Sequence, residues 1–216
     1  MIGNKDAEER ADELNAYCWR HINYRGKSTP SIEEKSISQK ELYRIFYYDC
    51  LPVAKKVYHP LLKRTIDRSK NEMYQWMHKF LDELKRKRKF AIRLGQLAEE
   101  QARYTIRYDV LKCLFNGTKS LDMLKEDDFQ FEVEQKGVDM KIGLDIASLA
   151  YKKLVDQIVL ISGDSDFVPA AKLARREGID FILDPLFVHI KPDLFEHIDG
   201  LRTCDTNFKP NSVKQN

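Results

Sequence analysis

Two aspartates that could hold a metal ion, Asp164 and Asp166, lie in the segment ISGDSDF, where only one serine separates them. The apolar run QIVLIS precedes them, so they follow a predicted buried strand. Like charges at this spacing repel each other, and their desolvation is costly unless a cation compensates. Two further aspartates, Asp139 and Asp145, lie six residues apart in KGVDMKIGLD. We predict that these four carboxylates belong to one site.

The chemistry of this group is that of hard oxygen ligands, because no histidine or cysteine lies among the four aspartates. Such ligands suit Mg²⁺ or Mn²⁺, which activate a water molecule and neutralise charge on a phosphodiester. Each aspartate taken alone is equally well explained as a helix N-cap or a surface-loop residue. The metal-site hypothesis therefore depends on the four lying at adjacent strand ends.

The elements around the aspartates alternate between strands and helices, which predicts parallel pairing and right-handed crossovers. We therefore predict an α/β fold, a three-layer sandwich with a mainly parallel sheet, in which sites form at the carboxyl ends of strands. The predicted strands are 42–50, 90–98, 127–137, 157–162 and 179–184, and the predicted helices are 6–22, 69–90, 140–155 and 167–177, with a turn or helix at 108–115.

The composition is that of a folded protein with little net charge. The 216 residues carry 37 Lys and Arg against 34 Asp and Glu, a formal charge of +3, which excludes a strongly basic tail. The four cysteines are scattered, as in a reduced cytoplasmic protein, and no stretch has the length of a membrane span. We expect a cytoplasmic protein without a membrane partner.

Several basic residues are candidates for contacting phosphate groups. The run Lys85–Lys89 is the densest, and Lys172, Arg175 and Arg176 follow ISGDSDF on one predicted helix. Lys136 precedes the first acidic motif and is a candidate substrate-binding residue. In each case a solvated, charged surface is the alternative explanation.

The segment KGVDMKIGLDIASLA, followed by DQIVLISGDSDFVPAAKLARREGIDFILDP, resembles the NYN-domain family, in its bacterial LabA-like branch of the PIN-like nucleases. The resemblance covers roughly residues 42–201. It implies a Rossmann-like, PIN-like fold and cleavage of RNA that depends on Mg²⁺ or Mn²⁺. By position, the catalytic metal ligands of the family fall on Asp139, Asp145, Asp164 and Asp166. Ser162 matches the hydroxyl residue that opens the serine/threonine-glycine-aspartate motif, and the resemblance implies that it contacts substrate.

One departure from the family concerns the N-terminus. Members begin with an apolar strand that ends in an aspartate, whereas MIGNKDAEERADELNAYCW is typical of the helix that follows it. We expect that the sequence begins after this first strand, through a misassigned start or through genuine loss. We further expect a single domain over residues 1–202 and a polar, disordered tail over 203–216.

The predicted function is hydrolysis of RNA phosphodiester bonds, impaired if the first strand is absent. Two alternatives stay open: a catalytically weak module that binds RNA or a protein, and a phosphatase of the haloacid-dehalogenase type. The predicted partner is RNA, and we include a homodimer among the expected assemblies.

Overall fold

The computed structural model describes residues 5–23, 40–162 and 164–204, with the side chain of Ser165 excepted. Residues 24–39, and all but the first two residues of the tail predicted at 203–216, lie outside these ranges. The helices of the described residues are α1 (Ala7–Ile22), α2 (Glu72–Arg86), α3 (Tyr108–Phe115), α4 (Val138–Tyr151), α5 (Val168–Arg176) and α6 (Pro192–Phe195). The strands are β1 (Ile45–Cys50), β2 (Lys56–His59), β3 (Arg64–Asp67), β4 (Phe90–Leu97), β5 (Arg103–Ile106), β6 (Phe129–Glu132), β7 (Gln135–Lys136), β8 (Gln157–Ile161), β9 (Asp180–Asp184) and β10 (Gly200–Leu201).

The prediction of an α/β fold is confirmed, but the described strands form separate sheets. One three-stranded sheet has the order β1-β4-β7 and another has the order β10-β9-β8. Two antiparallel pairs accompany them, the hairpin β2-β3 and the pair β5-β6, whose strands are separated by α3. The pairs β1/β4, β8/β9 and β9/β10 are parallel, whereas β4/β7 is antiparallel.

The predicted single strand at 127–137 is wrong, because two short strands occupy that segment. β6 pairs antiparallel with β5, and β7 pairs antiparallel with the end of β4. The chain therefore changes partner after Glu132, and only its last two strand residues join the sheet that contains β1.

Helices cover the two faces of the β1/β4 sheet. Ala7 and Ala11 of α1 are fully buried and pack with Phe80 and Leu84 of α2 on the face that carries Tyr47. Alternate strand residues point to opposite faces, so Tyr48 points the other way, toward α4. Tyr48 packs there against a core formed by α4, α5 and the β8/β9 sheet. The core therefore consists of apolar side chains on both faces of the β1/β4 pair, and on one of these faces it also includes the β8/β9 sheet.

Each of the two sheets has one parallel edge strand without a second partner among the described residues, β1 in one sheet and β8 in the other. Among the described residues β1 pairs only with β4, and β8 pairs only with β9. Every residue of β8 is partly exposed, as are the four central residues of β1, whereas four of the five residues of β9 are buried. Both sheets thus end on a parallel strand whose outer backbone groups have no partner strand in the part of the chain described.

A candidate acidic site at the carboxyl ends of the strands

Asp139 lies in the first turn of α4, and two glycines allow α4 to begin beside the sheet. Gly137 has φ 78°, a left-handed conformation that side chains disfavour, and it is the residue from which α4 starts. A Cβ at Gly95 of β4 would lie 2.6 Å from Cγ2 of Val138 and 2.7 Å from the carbonyl oxygen of Lys136. The start of α4 therefore contacts the backbone near the carboxyl end of β4. Asp139 is exposed there.

Asp145 lies two turns along α4 and is anchored to the sheet. Its Oδ2 atom accepts a hydrogen bond from the Tyr48 hydroxyl at 2.8 Å and one from Arg93 Nε at 3.0 Å. Tyr48 and Arg93 are register partners in the parallel β1/β4 pair, so they reach α4 side by side. Burial, together with the bond to Asp145, raises the pKa of the Tyr48 hydroxyl well above its ordinary value, so Tyr48 donates at physiological pH.

Asp164 and Asp166 follow β8 in a tight turn whose hydrogen bonds are local. The backbone N–H of Asp164 donates to Ser162 Oγ at 3.2 Å, and the N–H of Asp166 donates to Asp164 Oδ1 at 3.1 Å. Such bonds two residues apart are those that serine and aspartate make in turns. Both aspartates are exposed, and Asp166 lies in a short 3₁₀ helix, Ser165–Phe167, that precedes α5.

Ser162 is held at the end of β8 by its neighbour strand. Its backbone N–H donates to the carbonyl oxygen of Asp184 at 3.0 Å, which continues the β8/β9 ladder by one residue. Phe167, which follows the acidic turn, packs against Ile142 and Ile146 of α4. The turn that carries Asp164 and Asp166 is therefore packed on the same helix that carries Asp139 and Asp145.

The four predicted aspartates share one edge of the fold but not one ligand cluster. Within the described ranges, the group of three ligand atoms lying within 4.8 Å of one another is formed by Asp193, Glu196 and His197, on and just after α6. The four predicted aspartates do not form such a group. Their role as metal ligands stays a prediction.

The donor chemistry of the four aspartates still fits Mg²⁺ or Mn²⁺, because it consists of carboxylate oxygens alone. Asp139, Asp164 and Asp166 form no ion pair with any described residue, so their carboxylates are available to a cation. Asp145 differs, because Arg93 already compensates its charge.

Most of the basic residues predicted to contact phosphate form ion pairs with acidic residues in the structure. Lys136 is exposed, and its Nζ atom lies 3.6 Å from Glu134 Oε2. Within the run 85–89, Lys85 pairs with Asp82, Arg86 with Glu83, Lys87 with Asp12 and Lys89 with Glu41. These contacts favour the solvated-surface explanation for that run.

Two features near the site were missed in the sequence. Arg93 was not a candidate, because its contact with Asp145 depends on the register of β1 and β4. Asp49 ends the apolar part of β1, and its carboxylate accepts from the Tyr47 hydroxyl at 2.7 Å and from the Cys50 N–H at 2.7 Å. The signal for Asp49 was present, since a carboxylate at the carboxyl end of a parallel strand is the pattern that identified Asp164.

Exposed carboxylates beyond strand ends of an α/β fold are compatible with metal-dependent hydrolysis, but folds of this kind carry many unrelated reactions. A family model described as the NYN domain matches residues 39–187, more than half of the chain. The chain belongs to the NYN-domain family, whose members are generally nucleases acting on RNA. No curated protein and no solved structure matches the chain. Within the described residues, none of the helices has the length and apolar character needed to cross a membrane.

Proposed function

We propose that this protein is a metal-dependent ribonuclease that hydrolyses phosphodiester bonds in RNA. The observation that carries the proposal is the placement of Asp139 and of the turn with Asp164 and Asp166 against the same helix, within the NYN match. These three aspartates would hold Mg²⁺ or Mn²⁺, and Asp145 would contribute through its Oδ1 atom, because its Oδ2 atom already accepts from Tyr48 and Arg93. A bound ion of this kind supplies an activated water molecule and charge neutralisation at the phosphate.

The chain's own residues would orient the reaction rather than supply a nucleophile. Ser162 fixes the backbone of Asp164 through the bond at 3.2 Å, and Asp164 in turn fixes the backbone of Asp166. Lys136, the last residue of β7, is proposed to contact a substrate phosphate, because it is exposed and its Nζ atom lies 3.6 Å from its acidic partner Glu134. Such positioning lowers the entropy cost of bringing water and phosphate together.

The open edges of β1 and β8 support a proposal about the sheet itself. A further strand between them would pair with both and would produce one mainly parallel sheet between two helical layers. A strand of this kind that ends in an aspartate would add a carboxylate beside Asp164. In-frame residues encoded upstream of Met1 are the first place to look for it; if they encode no such strand, this part of the proposal fails.

The experiment that tests the nuclease proposal uses a fluorescein-labelled single-stranded RNA with Mn²⁺, with Mg²⁺ and with EDTA. We expect cleavage only with a divalent ion. Asp164→Asn should lower the rate by about 100-fold or more, because loss of a partner to a ligand alone costs about 10- to 100-fold. Asp127→Asn, the same charge change on an exposed turn, is the matched control. Intact RNA with the wild-type protein in Mn²⁺ would overturn the proposal.

A second candidate function is binding of RNA without cleavage. It is favoured by the separation of the four aspartates and by the ion pair that already occupies Asp145. RNA binding with no cleavage under any metal condition would support it. Release of phosphate from small phosphomonoesters while RNA stays intact would instead favour a phosphatase.

Location and assembly are also proposed. The described cysteines are all free thiols, which supports a cytoplasmic location.

The apolar side chains of Met140, Leu144 and Tyr151 are exposed on α4, which supports a homodimer. Sedimentation of the purified protein tests for the homodimer, and a single monomeric species at high concentration would exclude it.

A further inference from the structure

Arg93 is a basic residue that contacts Asp145, one of the four aspartates of the proposed site. Its Nε atom lies 3.0 Å from Oδ2 of Asp145, and its guanidinium carbon lies 5.2 Å from the centre of the Phe46 ring. Asp145 therefore fixes one edge of the guanidinium group, and the aromatic ring supports one of its faces. A guanidinium held in this way loses little further conformational entropy when it binds a ligand.

The other N–H groups of Arg93 have no hydrogen-bond partner among the described residues. A guanidinium has five N–H groups, and the bond to Asp145 uses the one on Nε. The two terminal amino groups make no hydrogen bond or ion pair with the described residues, and the side chain is 41% exposed. Four N–H donors in one plane are thus available to a ligand from solvent.

The terminal amino groups of the Arg93 guanidinium suit a phosphate ligand. Planar guanidinium groups bind the two oxygens of a phosphate in a bidentate geometry, which a lysine does not reproduce. Phosphate approaching Asp139, Asp164 and Asp166 meets three exposed carboxylates, and none of these is paired with a described cation. A positive group fixed on Asp145, in the same helix as Asp139, would reduce that repulsion before any metal binds.

We propose that Arg93 binds a backbone phosphate of the RNA next to the acidic site, and that Asp145 is the positioning residue that holds it. The proposal deepens the proposed function, since it rests on RNA being the substrate. It assigns Asp145 a role that Tyr48 shares, because the Tyr48 hydroxyl bonds the same oxygen and so fixes the carboxylate.

The test measures RNA binding without catalysis, by fluorescence anisotropy of a labelled single-stranded RNA in EDTA at several salt concentrations. Each phosphate contact contributes about 0.7 to the slope of log affinity against log salt for single strands. We expect Arg93→Ala to weaken binding about tenfold and to make that slope shallower by about 0.7. Arg93→Lys keeps the charge but not the fork, so it should keep the slope and lose only part of the affinity.

Arg103→Ala is the matched control, because Arg103 is exposed on β5 and its Nε atom lies 3.9 Å from Oε2 of Glu132 on the paired strand β6. A purely structural role for Arg93 predicts a lower urea midpoint with an unchanged salt slope, and that result overturns the proposal. An equal change of slope for Arg103→Ala overturns it as well, since the effect would then reflect net charge.

The outcome is separable from that of the nuclease proposal. If wild-type protein cleaves RNA but Arg93→Ala binds it with an unchanged slope, the nuclease proposal stands and this inference fails. If no cleavage occurs and Arg93→Ala still shifts the slope, the phosphate contact stands and the nuclease proposal fails.

Discussion

His21 Nε2 lies 2.9 Å from Oδ2 of Asp184, and this contact joins the last turn of α1 to the carboxyl end of β9. The Tyr17 hydroxyl donates to the same oxygen, and the Leu186 N–H donates to Oδ1 at 2.9 Å. Burial acts to raise the pKa of Asp184, but the hydrogen bonds from His21 and Tyr17 outweigh it and leave the pKa below its ordinary value.

We predict that Asp184→Asn lowers the free energy of unfolding at pH 7 by about 1–3 kcal/mol, because a buried charged acceptor is lost. A lowered folded-state pKa gives stability that is present above the unfolded pKa of about 3.9 and is lost as pH falls through the folded pKa. The difference between variant and wild type should therefore shrink on acidification below about pH 4. Urea midpoints measured from pH 7 to pH 3 check this, and a difference independent of pH contradicts it.

The close approach at Gly95 gives a second prediction. Gly95→Ala places a Cβ 2.6 Å from Val138 Cγ2, so either β4 or the start of α4 must shift, and we expect a loss of about 1–3 kcal/mol. Gly143→Ala in α4 is the control, because its Cβ meets nothing within 4 Å and the change should stabilise the helix by about 0.5–1 kcal/mol. Thermal unfolding of both variants decides the matter, and shifts in the same direction would contradict the argument.

The strands that the sequence predicted correctly are those marked by a run of apolar residues, although β8, predicted to be buried, is partly exposed along its whole length. The segments Gln157–Ile161 and Asp180–Asp184 are mainly apolar, and each ends close to a glycine or a proline, which interrupt strands. Their positions were therefore predictable. The hairpin β2-β3 was not predictable, because each of its strands is only four residues long and contains charged residues. Its turn places Lys63 at φ 49°, where glycine or asparagine would have signalled it.

The candidate site was predictable in part for a similar reason. Placement of Asp164 after a strand depends on local pattern, and the structure confirms that placement. The contact of Arg93 with Asp145 joins residues 52 positions apart, and the contact of Tyr48 with Asp145 joins residues 97 apart. Both depend on the register of β1 against β4, which no local pattern in a single sequence specifies.

The packing of α1 on α2 gives a third prediction, which concerns residues outside the NYN match. Ala11 is fully buried between the two helices, so Ala11→Leu should cost about 1–3 kcal/mol through overpacking. Ala16→Leu, an identical change at an exposed position of α1, should alter stability by less than about 0.5 kcal/mol. Urea denaturation of both proteins measures this; equal stability of the two variants would show that α1 does not pack on the domain as described.

The fourth prediction distinguishes two candidate binding sites for Mn²⁺. One contains Asp164, and the other is formed by Asp193, Glu196 and His197. We expect Asp164→Asn to weaken Mn²⁺ binding by at least about tenfold, because a direct ligand is lost. His197→Ala should leave that binding unchanged, although His197 lies within 4.8 Å of possible ligand atoms from Asp193 and Glu196. Calorimetric titration of Mn²⁺ into each variant without RNA gives the affinities. Loss of binding in His197→Ala with none in Asp164→Asn would move the metal site to α6, since an imidazole next to two carboxylates is itself a competent ligand set.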